Sequence, residues 1–151
     1  MEEMKRYRRA VFILVYARAN KKIEYLILKR RLHWIGWEFP KGGVRRFETK
    51  RGAVKREIRE ETSLKILKIK KFHVHGKYRY DKKYSYRKNV IGQTFSLYAV
   101  EVKKEKVRIS DKEHSDYKWA NYKEALRKLT WNNQKRCLKI VNNYLNNCVS
   151  L

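Results

Sequence analysis

The sequence predicts a layered α/β domain in which strands of mixed direction are packed against helices. Strand-like and helix-like segments alternate along the chain. No repeat, low-complexity linker or composition break divides the 151 residues, so a single domain over 1–151 is expected. With 42% hydrophobic and 13% aromatic residues, the chain can bury a core although 36% of it is charged.

The first strand is expected over Arg9 to Arg18 and contains the longest apolar run, Ala10 to Ala17. That run is too short to cross a bilayer, and no membrane partner is expected. Lys5, Arg6, Arg8 and Arg9 ahead of it imitate a secretory signal. However, the run is rich in Val, Ile, Phe and Tyr and a similar segment, Ile23 to Lys29, follows it, so a buried β-hairpin explains it better. Further strands are expected at Leu67 to Val74 and Gln93 to Val102, with weaker candidates at Val107 to Ile109 and Tyr117 to Trp119. The first helix is expected over Thr49 to Thr62. A second, Tyr122 to Leu129, opens with Asn121 and Glu124 at capping-box spacing. In the third, Trp131 to Asn147, the residues Cys137, Leu138, Val141, Leu145 and Cys148 form one apolar stripe. Its two cysteines stand too far apart on a helix for a disulfide, which points to reduced thiols and a cytoplasmic protein. Gly76 to Asn89 is polar, basic and rich in Tyr, and is expected to be a mobile hairpin or loop.

Forty Lys and Arg against fifteen Asp and Glu give a formal charge of +25. Such an excess attracts polyanions, so phosphate-rich partners are expected, although a solvated surface enriched in Lys would show the same balance.

The chemistry is concentrated in residues 37–64, WEFPKGGVRRFETKRGAVKREIREETSL. Glu57, Glu60 and Glu61 fall at i, i+3 and i+4, on one helix face, where like charges repel. Two readings account for them. A hard divalent cation, magnesium or manganese, would be held by their oxygens; or Lys55, Arg56 and Arg59 pair with them on a solvated face. The loop ahead favours the first reading. Pro40, Gly42 and Gly43 let the backbone turn tightly, bringing a loop carbonyl and Glu48 toward the same place.

Gly42, five residues, Glu48, seven residues, then Arg56-Glu57-Ile58-Arg59-Glu60-Glu61-Thr62-Ser63-Leu64 resembles the Nudix box. The resemblance implies an α/β/α sandwich with a mixed sheet between helices, and a hydrolase of nucleoside diphosphate linkages that uses Mg2+ or Mn2+. It implies that Glu57, Glu60 and Glu61 hold the metals together with Gly42, that Gly43 shapes the loop, and that Arg56 orients the glutamates by pairing with Glu48. Ser63 and Phe47 stand where the family has glycine. At Ser63, a left-handed helix end, this should cost about 1 kcal/mol.

A diphosphate linkage repels nucleophiles, so its oxygens must be neutralised while a base takes a proton from water. Glu60 or Glu61 could serve, but a metal-bound carboxylate is a poorer base, which brings in a loop acid such as Glu113. Lys41, beside the glycines, is a candidate phosphate contact. The 37–43 segment, Glu113 to Trp119 and the stretch from Glu124 through Asn133 resemble the diadenosine tetraphosphate hydrolase branch, which implies asymmetric hydrolysis to NTP and NMP and a metal or base role for Glu113. The WxFPxGG pattern is also similar to RNA pyrophosphohydrolases and decapping enzymes, the alternative reading. A noncatalytic RNA-binding protein on the same scaffold is the third. Tyr78, Tyr80 and Phe95 are candidate base-stacking residues, and Tyr84 and Tyr86 interleave with Lys and Arg as a nucleic-acid surface would, or as an ordinary hairpin does. His73 and His75 share one strand face, which a solvated surface explains better than a metal.

Overall fold

The computed structural model describes residues 6–80 and 89–147. Strands β1 (Arg6–Ala19) and β2 (Lys22–Arg30) form the expected hairpin, with Ala19 opposite Lys22. Asn20 and Lys21 join them with φ of 52° and 64°, the two left-handed residues of a turn whose twist matches the strands. After the short strands β3 (Gly36–Glu38) and β4 (Lys41–Gly43) comes helix α1 (Lys50–Thr62). It is followed by β5 (Ile66–Arg79), β6 (Val90–Val102), β7 (His114–Ala120), α2 (Tyr122–Lys128) and α3 (Asn132–Asn147).

Among the described residues, seven strands make one mixed sheet with the path β3-β2-β1-β6-β5, while β4 pairs with β1 and β7 with β2. The β1–β6 pair is parallel, and the other pairs are antiparallel. Residues 10–17 of β1 are all buried because both sheet faces are covered there. Phe12, Leu14 and Tyr16 enter a core with Leu138, Val141 and Leu145 of α3, whereas Val11, Ile13 and Val15 enter a second core with Ala53, Val54 and Ile58 of α1. The sheet therefore lies between helices, as the resemblance implies. No helix among the described residues is long and apolar enough to cross a membrane.

Helix boundaries follow side-chain chemistry. The Thr49 hydroxyl accepts from the Gly52 amide and the Asn121 side-chain Oδ1 from that of Glu124, capping α1 and α2. Ser63 ends α1 at φ 58° in the left-handed region. The α3 stripe is buried at Cys137, Leu138, Val141 and Leu145, and burial pushes the Cys137 thiol up to about 11; Cys148 lies outside the described residues.

Two expectations need correction, and two short strands were not expected. Gly76 to Arg79 belongs to β5, paired with residues 92–95 of β6, because polar composition hid a period-two pattern in which Tyr78 turns inward and Lys77 and Arg79 outward. Val107 to Ile109 is no strand; Val107 is buried in the α1-side core and Arg108 donates its amide to the Thr62 carbonyl. Strands β3 and β4 are too short for a periodic signal to reveal.

Candidate active site and metal centre

β4 and α1 assemble the acidic end of the site. The loop from Gly43 to Thr49 folds back on the helix because Arg56 uses its guanidinium as a hub. Its Nε and Nη2 each donate to Glu48 at 2.8 Å, Nη2 also to the Gly43 carbonyl at 2.8 Å, and Nη1 to Glu57 at 2.7 Å and Glu60 at 3.5 Å. Hydrogen bonds from Arg56 hold the Glu48 carboxyl down to about 2, and the Arg56 guanidinium rises correspondingly. Phe47, at φ 66° and almost wholly exposed, takes the left-handed turn of this loop without a glycine. At Gly42 a Cβ would collide with the Glu57 carboxylate, so the bare backbone is what lets that carboxylate lie against β4.

The three helical glutamates differ in setting. Glu57 and Glu61 are buried, whereas Glu60 is half-exposed and also meets Arg45 at 3.6 Å. Burial pushes the Glu57 carboxyl up against the pull of Arg56. Glu61 is pushed up further, by burial and then by Glu57, Glu38 and Glu113. Its buried Oε2 has no partner within the protein. Lys55 and Arg59 are exposed, so it is Arg56 that sets the face.

From the opposite side come His114, the first residue of β7, and Glu113 in the turn just before it. Ligand atoms of Glu61, Glu113 and His114 lie within 4.8 Å of one another. The buried His114 places Nε2 2.8 Å from Glu38 Oε2, while its Nδ1 has no hydrogen-bond partner within the protein. An orphaned carboxylate oxygen, a second carboxylate and an imidazole nitrogen fit a divalent cation. Behind them, Arg30 Nη1 bridges Glu38 at 3.3 Å and Glu113 at 3.4 Å, and Lys41 Nζ lies 3.4 Å from the other Glu38 oxygen. Burial alone would raise the Glu38 carboxyl, but Lys41, the His114 hydrogen bond and Arg30 together hold it at about 2.

Sequence reasoning gave Glu38, His114 and Arg30 no role. Glu38 and His114 stood inside quoted motifs; Glu38, an acid between Trp37 and Phe39, carried a signal of burial, whereas His114, between Glu113 and Ser115, carried none. Arg30 carries none, since only the β2–β7 pairing brings it to Glu113.

Glu57, Glu60, Glu61, Glu113 and Arg56 line one hollow of about 400 Å³. It adjoins a cleft of about 510 Å³ where Glu57, Glu61, Glu113 and Gly42 face Lys41, Arg8, Tyr78 and Tyr80. Its far wall includes Trp34 and Trp131, in edge contact at 5.0 Å, and Lys41 Nζ sits 5.9 Å from the Trp34 ring. Phe95 is a correction: it is buried in the core, stacked 4.1 Å from Phe12, and it is Phe12 that reaches the cleft. Tyr84 and Tyr86 lie outside the described residues. His73 and His75 are exposed on β5.

The NUDIX domain model matches residues 6–139. The chain belongs to the Nudix family. It is 33% identical over 135 residues to an RNA pyrophosphohydrolase of a Nitratiruptor species, covering 85% of this chain and 87% of that protein. In fold it is similar to a NUDIX hydrolase from Listeria monocytogenes (TM-score 0.77, 23% identity, 91% of this chain and 94% of that one). It is also similar to the C. elegans Ap4A hydrolase in a binary complex (TM-score 0.74, 21% identity, 93% and 98%). As a Nudix pyrophosphohydrolase, it hydrolyses phosphoric anhydride bonds of nucleotide substrates.

Proposed function

We propose that this Nudix hydrolase removes pyrophosphate from the 5′-triphosphate end of RNA, with Mg2+ or Mn2+, in the cytoplasm. The observation that carries the reading is the cleft, whose acidic end adjoins a wall of Arg8, Lys41 and Arg79 with Tyr78 and Tyr80. Cations there suit a triphosphate, and the aromatics suit the first base. The 33% identical relative named for RNA pyrophosphohydrolysis supports the same choice. So does the +25 charge, which a small dinucleotide does not require.

Glu61, Glu113 and His114 would hold the cation, with Glu57, Glu60 and the Gly42 carbonyl beside them. The cation would neutralise phosphate oxygens and acidify the attacking water. Arg56 fixes Glu57 and Glu60 and, through Glu48, the loop that presents Gly42. Lys41 and Arg8 bind phosphate as cations, Glu38 orients His114, and Arg30 positions Glu113, which takes the proton from water when it is not itself on the metal.

A second reading, asymmetric hydrolysis of a dinucleoside tetraphosphate, is supported by the Trp34–Trp131 wall, which offers a second aromatic surface for a second nucleoside. A panel of 5′-triphosphorylated dinucleotide RNA and diadenosine tetraphosphate, each with magnesium or manganese, decides. The RNA end should be the better substrate and release pyrophosphate. Preference for the dinucleoside, yielding ATP and AMP, would overturn the first reading in favour of the second, and RNA binding without turnover of either would reject both.

A further inference from the structure

The α1-side face of the sheet carries charge that the proposed reaction does not use. Beyond the N-terminus of α1, strand register sets Arg9, Thr94 and Lys77 side by side across β1, β6 and β5. Arg9 and Lys77 are exposed. Lys50, the first residue of α1, borders them by donating to the Ser96 hydroxyl at 3.0 Å. Lys77 Nζ stands 4.0 Å from the centre of the Tyr7 ring, across Gly92, which has no side chain to separate them. That contact holds the ammonium over the sheet instead of letting it trail into solvent.

Segments 6–13, 69–80 and 90–98, which build this face, contain no acidic residue. The charge is therefore not neutralised from within, and like charges held together favour a polyanion. Among the described residues, the exposed large apolar side chains, Leu32, Ile35, Phe47 and Leu67, all lie outside these segments. Strands that present cations and no exposed large apolar side chain, with Phe47 alone nearby in the loop before Lys50, suit a hydrated phosphate backbone better than a bilayer. Alternate residues of a strand stand about 6.8 Å apart and next-but-one strands about 10 Å apart, so the cations make a strip, not a disc. The strip leads to the active site, because Arg79, two residues beyond Lys77 on β5, lines the cleft.

We infer that this face is a track for the single-stranded RNA that trails from the hydrolysed 5′ end, with Arg9 and Lys77 binding its phosphodiesters. The inference rests on the RNA-end reading above. A dinucleoside polyphosphate would end inside the cleft and would not reach the track.

The test uses the full chain and Arg9→Glu/Lys77→Glu, whose residues lie outside the catalytic cleft, with Arg9→Gln/Lys77→Gln should charge reversal impair folding. Binding of a 5′-hydroxyl RNA of about 15 nucleotides is followed by fluorescence anisotropy at several salt concentrations, beside kcat/KM on triphosphorylated RNAs of that length and of two nucleotides. The wild type should bind the 5′-hydroxyl RNA and prefer the longer substrate. The double variant should bind about tenfold more weakly at low salt, with a log–log salt slope shallower by about 1.4 for two lost phosphates. It should lose the length preference while keeping dinucleotide turnover. Unchanged binding and slope in the variant, or capture of phosphatidylserine vesicles without RNA binding, would overturn the track. If no triphosphate is hydrolysed yet the variant still loses 5′-hydroxyl RNA, the RNA-end reading fails and the track stands; equal turnover of both lengths without 5′-hydroxyl RNA binding removes the track alone.

Discussion

Phe47 and Ser63 hold left-handed backbone at φ 66° and 58° without being glycine. A β-carbon in that region costs roughly 1–2 kcal/mol, partly offset by the extra freedom a glycine would have when unfolded. Phe47→Gly and Ser63→Gly should each raise stability by about 0.5–1 kcal/mol, read as an increase in urea midpoint. Loss of stability at Phe47 would mean that its contact with the Arg46 guanidinium outweighs the strain. Glu48 gives a pH signature. Its carboxyl is held near 2 in the folded protein against an ordinary 4.5. Because the folded value is the lower one, the stability it contributes is complete above pH 4.5 and is lost as pH falls toward 2. Glu48→Gln should therefore lower stability at neutral pH and flatten its fall across that window, as urea melts through the window would show. Glu61→Gln should reduce turnover by about a hundredfold or more while leaving the melting temperature close to wild type, since it removes a charge whose oxygen no protein donor satisfies.

At the scale of elements, Arg56 joins β4, the Gly43–Thr49 loop and α1 through one side chain. Removing it strands Glu48 and Glu57 together, so Arg56→Ala should cost about 3 kcal/mol and reduce activity as the loop leaves the helix. Lysine cannot reproduce the two parallel bonds to Glu48, and Arg56→Lys should recover part of the stability but less of the activity. Chemical denaturation paired with steady-state kinetics separates the two effects. The helix and its glutamate face were legible in the sequence because each rests on local spacing; its N-cap, Thr49, was read as the first helical residue, and its left-handed end at Ser63 came from the resemblance. β3 and β4 were not, since three-residue strands exist only by pairing with β2 and β1.

Across the whole molecule, the sheet is clamped between two cores, and the cleft forms where the start of α3 meets side chains of β1, β6 and β5. Gln134 at the start of α3 accepts from the Phe39 amide at 2.8 Å, and the Thr130 hydroxyl accepts from that of Trp37 at 3.0 Å, which tie the helix to the WEFP segment. Leu138 lies within the core four residues further along. Leu138→Ala should cost about 2–5 kcal/mol by leaving a cavity, while kcat/KM well below the melting temperature changes little. A large loss of activity in protein that remains folded would mean that α3 shapes the cleft through its core contacts.

The sequence by itself determined the Nudix box, the helix that carries Glu57, Glu60 and Glu61 and the hairpin, because spacing along one chain fixes which side chains share a face; the Arg56–Glu48 pairing came only as what the resemblance implies, and the fold of the Gly43–Thr49 loop realises it. It did not determine that Phe95 stacks in the core while Tyr78 and Tyr80 reach the cleft, since alternation assigns opposite faces without saying which face a helix covers. Nor did it assemble the Glu38–His114–Arg30 network or set Arg9 beside Lys77. Those neighbours lie on different strands, and only register and strand order, fixed by burial on both sides of the sheet, decide which residues become adjacent.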